Sequence, residues 1–153
     1  MRKMRRKDRE ISESDARSLL KRAAYGVLST VDNDGRPYGV PLSFCVIDNC
    51  IYFHSAVEGQ KIDNIIRNKS VSFCIVGDTK ILPDKFSIKY ESVILFGEVE
   101  EVFDTEKQAA LEGLLRKYSP DFFDRGIKYI DETRDQTRVF KISINQLTGK
   151  ARR

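Results

Sequence analysis

A chain of 153 residues and 17.6 kDa has the size of one ordinary domain. With 41% hydrophobic and 33% charged residues it has the mix of a folded globular protein, which excludes wholesale disorder and collagen-like repeats. The longest uncharged apolar run, from about Gly39 to Ile47, falls far short of the ~20 residues a membrane-spanning helix needs. The basic N-terminus is not followed by the apolar stretch of a secretory signal, which points to the cytoplasm.

The net charge of +4 belongs to the ends of the chain. Residues 1–9 carry +5 and residues 150–153 carry +3, so residues 10–149 are left at −4. A nucleic-acid-binding face would carry its Lys and Arg on the fold itself, so no nucleic-acid partner is expected. Residues 1–10 read as a basic arm, solvated or clasping another subunit, on a single domain spanning 1–153.

Ser12, with Asp15 three residues on and then Ala16, Leu19, Leu20 and Ala23 at helical spacing, predicts a capped first helix. Tyr25 to Val31 reads as a strand ending in Asp32-Asn33-Asp34-Gly35, a hairpin turn, and a return strand runs from about Arg36 to Val46. After a turn at Asp48-Asn49, Cys50 to His54 is a third strand. From Gly59 to Asn68 the period changes, with Ile62, Ile65 and Ile66 on one helical face. Ser70 to Val76 is again a strand, broken at Gly77-Asp78. A polar loop containing Pro83 then leads to a long alternating strand from Phe86 to Val102. Asp104 or Thr105 caps a helix with Ala109, Leu111, Leu114 and Leu115, and Gln108 is placed to complete a Thr-x-x-Gln capping box. A second helical piece spans about Pro120 to Glu132, and Arg138 to Ile144 closes the chain as a strand. Six strands in consecutive antiparallel order, with a few short peripheral helices, predict an α+β fold built on an antiparallel barrel.

Cys45, Cys50 and Cys74 are odd in number and lack C-x-x-C spacing, and the one histidine cannot complete a zinc site with them. Free buried thiols in a reducing compartment and no metal centre are expected. The segment most suggestive of chemistry is Ile51 to Asn64. A strand ends at His54-Ser55, a loop carries Gly59, and a helix opens with Lys61 in its first turn. Unpaired N–H groups and the dipole of a helix start, joined by a Ser hydroxyl and a Lys ammonium, form a phosphate cradle. Spacing alone, without a glycine-rich fingerprint, also allows Lys61 to be a solvated surface residue and Ser55 a plain cap.

Several segments together resemble the flavin-binding split barrels related to pyridoxamine 5′-phosphate oxidase, and among them most closely the nitroimidazole resistance family. They are Arg6 to Glu10, Tyr25 to Val31, Tyr38 to Phe44, Ile51 to Ala56, Ser70 to Val76, Tyr90 to Gly97 and Leu147 to Lys150. The resemblance covers nearly the whole chain. It implies a six-stranded split barrel, a homodimer, and one FMN in each of two clefts at the subunit interface. By the same resemblance Val40, Pro41, Leu42 and Ser43 lie along the flavin ring system. His54, Ser55 and Lys61 match the phosphate and ring-edge segment, Ser92 falls near the flavin, and His54 lies close to it. The chain departs from pyridoxamine phosphate oxidases in having Glu58-Gly59-Gln60-Lys61 where they carry a Ser-Arg-Lys cluster, and in lacking their C-terminal Arg and His region.

The expected function is an FMN-binding oxidoreductase acting between a small-molecule electron donor and acceptor, with nitro groups as one acceptor class and His54 as the catalytic residue. An imidazole titrating near neutrality can give a proton to a reduced acceptor or bind an anion. The alternatives are a non-catalytic flavin-binding sensor or carrier, and a pyridoxamine-phosphate-oxidase-like enzyme. A homodimer is also expected because Phe44, Phe53, Phe73 and Phe96 looked too many for one core.

Overall fold

The computed structural model describes residues 1–153. Its elements are β1 (Glu10–Ile11), α1 (Glu13–Arg22), β2 (Gly26–Val31), β3 (Pro37–Leu42), β4 (Cys45–Ile47), β5 (Cys50–Ser55), α2 (Gln60–Arg67), β6 (Ser70–Leu82), β7 (Ser87–Val102), α3 (Asp104–Tyr118), α4 (Phe123–Thr133) and β8 (Arg138–Arg152). The strands form one antiparallel sheet in the order β3-β2-β6-β7-β8-β5-β4, with β1 added beside β8. The α+β class and the antiparallel sheet follow the sequence reading. The number of strands does not: there are eight rather than six.

The extra strands have local causes. The return strand from Arg36 is interrupted at Ser43-Phe44, which splits it into β3 and β4. The N-terminal arm folds back and pairs Glu10 with Lys150 and Ile11 with Gly149. Gly77-Asp78 does not end β6 but forms an irregularity between Val76 and Thr79, after which the pairing with β7 resumes. The capping box predicted for α3 is absent, because Phe103 takes the N-cap and Thr105 lies inside the first turn, and the Gln108 side-chain oxygen accepts from Arg134 instead. Ser12 does cap α1, its hydroxyl accepting from the Asp15 N–H at 3.0 Å.

The two ends of the strand path, β3 and β4, are joined by only Ser43 and Phe44. Three Cα steps reach roughly 11 Å at most, so the sheet has to curl until its two edges nearly meet. No ladder joins β3 to β4, and the curled sheet stays split along that line.

Inside the curl, Leu28, Phe44, Ile51, Phe53, Phe73, Val93, Leu95, Phe140 and Ile142 are buried in one cluster that α1 and α2 also cover. Phe44 and Phe73 meet edge-to-face at 5.0 Å, and Phe53 stacks on Phe140 at 5.5 Å. One core therefore takes three of the four phenylalanines that looked too many for it, and only Phe96 is left outside. A second cluster lies under α3 and α4 and contains Cys45, Tyr52, Ala110, Leu111, Leu114, Ile130 and Val139.

β8 carries one extra residue opposite β7: Phe96 pairs with Gln146 but Gly97 pairs with Ile144. This bulge at Asn145 draws the backbones together, and a Cβ on Gly97 would lie 2.2 Å from the Ser143 carbonyl oxygen. Gly97→Ala is expected to lower the unfolding free energy by about 1–3 kcal/mol, read from urea melts at unchanged m-value. An unaltered midpoint would show that the two strands can separate at no cost.

Candidate functional site

The residues singled out from Ile51 to Asn64 gather at one end of the split. The β4–β5 ladder begins at the pair Cys45–Tyr52. Two residues further along each strand stand Ser43 and His54, where the chain leaves β4 for β3 and the ladder has ended. His54 is thus at the mouth of the split, open to solvent on one side while the atoms packed around its ring partly desolvate it. By strand alternation it shares a face with Tyr52, whereas Ser55, 8% exposed, faces the other way with Phe53. His54 and Ser55 are adjacent but not side by side.

The loop after Ser55 leads to Gly59, whose φ of 142° is open to glycine but strained for other residues. Gly59 occupies the N-cap of α2, and no side chain caps that end. The amides of the first turn of α2 are consequently left for a ligand or water. Lys61 returns over the end of β5, with its ammonium 5.9 Å from the centre of the Phe53 ring. Neither His54, Ser55 nor Lys61 makes a side-chain hydrogen bond within the chain, and neither His54 nor Lys61 has an acidic partner. Burial pushes the Lys61 ammonium below the usual lysine range. Burial first, and the Lys61 charge second, hold the His54 imidazole below its ordinary value. Both shifts have the sign expected of a site that lacks a negative charge.

Three contacts that position this site are invisible in sequence patterns. The first involves Arg138, which clasps both oxygens of Glu101 at 2.9 and 2.8 Å and donates to the Val57 carbonyl at 3.2 Å, fixing the loop before α2. The second runs through buried Asn64, which accepts from the Gln60 amide at 2.7 Å and donates to the Thr30 hydroxyl at 2.9 Å, tying α2 to β2. In the third, the end of α3 clamps the crossover. Lys117 donates to the Phe44 carbonyl at 2.9 Å with its ammonium 3.8 Å from the Phe44 ring centre, and the Tyr118 hydroxyl accepts from the Phe44 N–H at 3.0 Å. Each depends on strand register or on a distant helix end.

Of the other candidates, Ser43 stands across the mouth of the split from His54, and Leu42, Pro41 and Val40 lead away from it along β3. Val40 and Leu42 turn their side chains to the core, while Pro41 and Ser43 are exposed. β3 is an edge strand, with backbone groups that no neighbouring strand takes. Ser92 pairs with Lys150 far along β8, whereas His54 pairs with Val139. At about 3.3 Å per residue, roughly 35 Å of strand separate these positions, so one chain does not bring Ser92 to His54. The cysteines are free: Cys45 is buried and its thiol pushed up to about 11 by that burial, and Cys50 and Cys74 are half-buried. A thiol so shifted is not a nucleophile at neutral pH.

The single histidine makes the electrostatics measurable. Its proton NMR titration is expected to have a midpoint below 6.5 in the ligand-free protein. Lys61→Ala should raise it in part only, since burial is the larger cause. Because the unfolded chain binds the proton more readily, this residue contributes stability above the unfolded pKa that fades as the pH falls through the depressed one. A midpoint unmoved by Lys61→Ala would show that the two groups do not sense each other.

No curated protein is significantly similar in sequence to this chain. Among solved structures, a protein proposed to give 5-nitroimidazole antibiotic resistance in Bacteroides thetaiotaomicron is 29% identical with a TM-score of 0.76, over 93% of this chain and 86% of that one. A conserved hypothetical protein of Mycobacterium tuberculosis superposes with a TM-score of 0.83 at 20% identity, over 97% and 89%. An FAD-binding protein of Mesorhizobium loti gives 0.68 at 24%, over 95% and 98%. These last two likenesses concern the fold alone. The family model for pyridoxamine 5′-phosphate oxidase matches residues 12–151, and the chain belongs to that family.

Proposed function

We propose that the protein is a flavin-dependent oxidoreductase, binding FMN in the cytoplasm as a homodimer and reducing small acceptors, nitro compounds among them. The observation that carries this reading is the set of unpartnered polar groups at the split. Ser55, Lys61 and the uncapped start of α2 supply a hydroxyl, a cation and amide donors within one short stretch of chain, and neither side chain has a hydrogen-bonding or acidic partner. That donor set fits a phosphate monoester. Family membership and the 29% identical Bacteroides protein support the same reading. A bound flavin would supply the electron transfer. Val40, Pro41, Leu42 and Ser43 would offer the edge of β3 to its ring system. His54, at the mouth of the same split, would hold a proton at a ring nitrogen or anchor an anionic donor.

The outer face of the sheet supports the dimer. Alternation places Ile94 and Phe96 of β7 and Val76 of β6 on this face, exposed by 46%, 42% and 54%. Adjacent exposed apolar side chains of this kind are usual at interfaces between subunits. Ser92 lies on the same face. A second copy applied there offers a way to bring Ser92 to the partner's split, which the distance along β8 forbids within one chain. One observation favours the rival reading of a flavin carrier or sensor: no acid–base group of the chain is hydrogen-bonded to His54.

Affinity and turnover separate these roles. Lys61→Ala should weaken FMN about ten- to a hundredfold while leaving riboflavin, which lacks the phosphate, nearly unchanged. Equal losses for both would remove Lys61 from the phosphate. A flavin-loaded His54→Ala protein should lose about 10²–10⁴-fold in turnover of a nitroaromatic, and full retention would leave the carrier reading standing. Ile94→Glu should convert a particle of twice the chain mass into a monomer by light scattering and release flavin with it. A wild-type protein that scatters as a monomer with flavin bound contradicts the dimer.

A further inference from the structure

Ser55 and Arg138 form the last pair of the β5–β8 ladder, so their side chains leave the sheet on one face with Cβ atoms roughly 5 Å apart. Along the ladder, the next pair on that face is Phe53 and Phe140, whose rings stack at 5.5 Å. The Lys61 ammonium lies 5.9 Å from the centre of the Phe53 ring, and the Arg138 guanidinium 5.4 Å from that of Phe140. A second cation thus stands beside the same serine and on the same aromatic pair as Lys61.

Arg138 is already engaged. Its Nε and one terminal nitrogen clasp Glu101, and its other terminal nitrogen donates to the Val57 carbonyl. A guanidinium carries five N–H groups in one plane, so two of those of Arg138 are left over. Glu101 and Arg138 are both half-buried, and the hydrogen bond from Arg138 is the main cause that holds the Glu101 carboxyl below the usual range. Glu101 is therefore a permanent counter-charge at neutral pH. Lys107, the other cation that Glu101 senses, gives its ammonium to the Arg134 carbonyl.

We infer that Arg138 is a ligand of the phosphate cradle and that Glu101 restrains it, so that a bound flavin phosphate is held one positive charge short. This rests on the proposed phosphate site at Ser55 and Lys61. A phosphate monoester carries nearly two negative charges at neutral pH. Lys61 supplies one positive charge and Arg138 a second, but Glu101 cancels one of the two. The two free N–H groups let Arg138 serve the phosphate without leaving its fork, and the loop at Val57 stays braced meanwhile. Glu101 in this way lowers affinity without touching the ligand, and it makes the cofactor exchangeable. A fork that only braces the loop would do the reverse: loss of Glu101 would loosen the entry to α2 and weaken the ligand.

The sign of one substitution separates the two roles. Glu101→Gln keeps an acceptor for Arg138 and removes the charge. Fluorescence titration at low salt should show FMN bound about three- to tenfold more tightly by this variant, and riboflavin bound as by the parent. Stopped-flow release of FMN should slow to match. Arg138→Gln should weaken FMN about tenfold or more with little change for riboflavin, Arg138→Lys should recover part of the loss, and Arg138→Gln should abolish the gain of Glu101→Gln when the two are combined. If Arg138→Gln does not fold by thermal melt, Glu101→Gln decides alone. FMN weakened or unchanged by Glu101→Gln, or untouched by Arg138→Gln, overturns the inference and leaves the proposed function standing. A parent chain that does not prefer FMN to riboflavin overturns the phosphate site and the inference with it.

Discussion

The two-residue crossover at Ser43-Phe44 dictates the shape of the molecule. It joins opposite edges of one sheet, so every other strand has to be arranged on an arc that brings those edges together. Phe44 makes this arrangement rigid, because its ring is fully buried against Phe73 while its backbone is held by Lys117 and Tyr118. The clamp is a tertiary one: the end of α3, more than seventy residues away, satisfies the peptide that neither β3 nor β4 can pair. The split in the sheet is therefore a built feature, and the polar groups that carry the proposed chemistry are gathered at its mouth.

Those groups are maintained at a cost. A partly desolvated lysine without a counter-charge costs folding energy, and the histidine near it adds to that cost once the pH is low enough to protonate it. The neighbourhood offsets this with connections that are fully satisfied. Arg138 and Glu101 form a paired fork that also holds the loop, and Asn64 spends its amide on Gln60 and Thr30. Rigid, well-paired supports around unpaired functional groups are the arrangement a preorganised anion site requires.

Much of this was legible from local pattern. Alternation gave β2, β5 and β7 within a residue or two, and the Ser12 cap and the isoleucine spacing gave α1 and α2. The segment from His54 to Lys61 was legible too, because helix start, glycine and cation are neighbours in sequence. What was not legible depends on register. Gly77-Asp78 looks like a turn and is absorbed as an irregularity in β6 because the pairing with β7 outlasts it. Gln108 looks like a cap and is taken by Arg134, 26 residues on. The opposite facing of His54 and Ser55 follows from the pleat, yet their adjacency invites the reverse assumption.

The place of β8 in the sheet bears on how the protein is made. β8 is the last element of the chain, and it pairs with β1, β5 and β7. Until it has left the ribosome, β5 and β7 each present an open edge, and the apolar faces of both await a cover. The closing of the sheet, where β8 joins the β3-β2-β6-β7 part to the β5-β4 part, is thus late and between partners distant in sequence, a topology that folds slowly and exposes strand edges while it waits. The nascent chain, more than the finished molecule, is where this protein is most prone to aggregate.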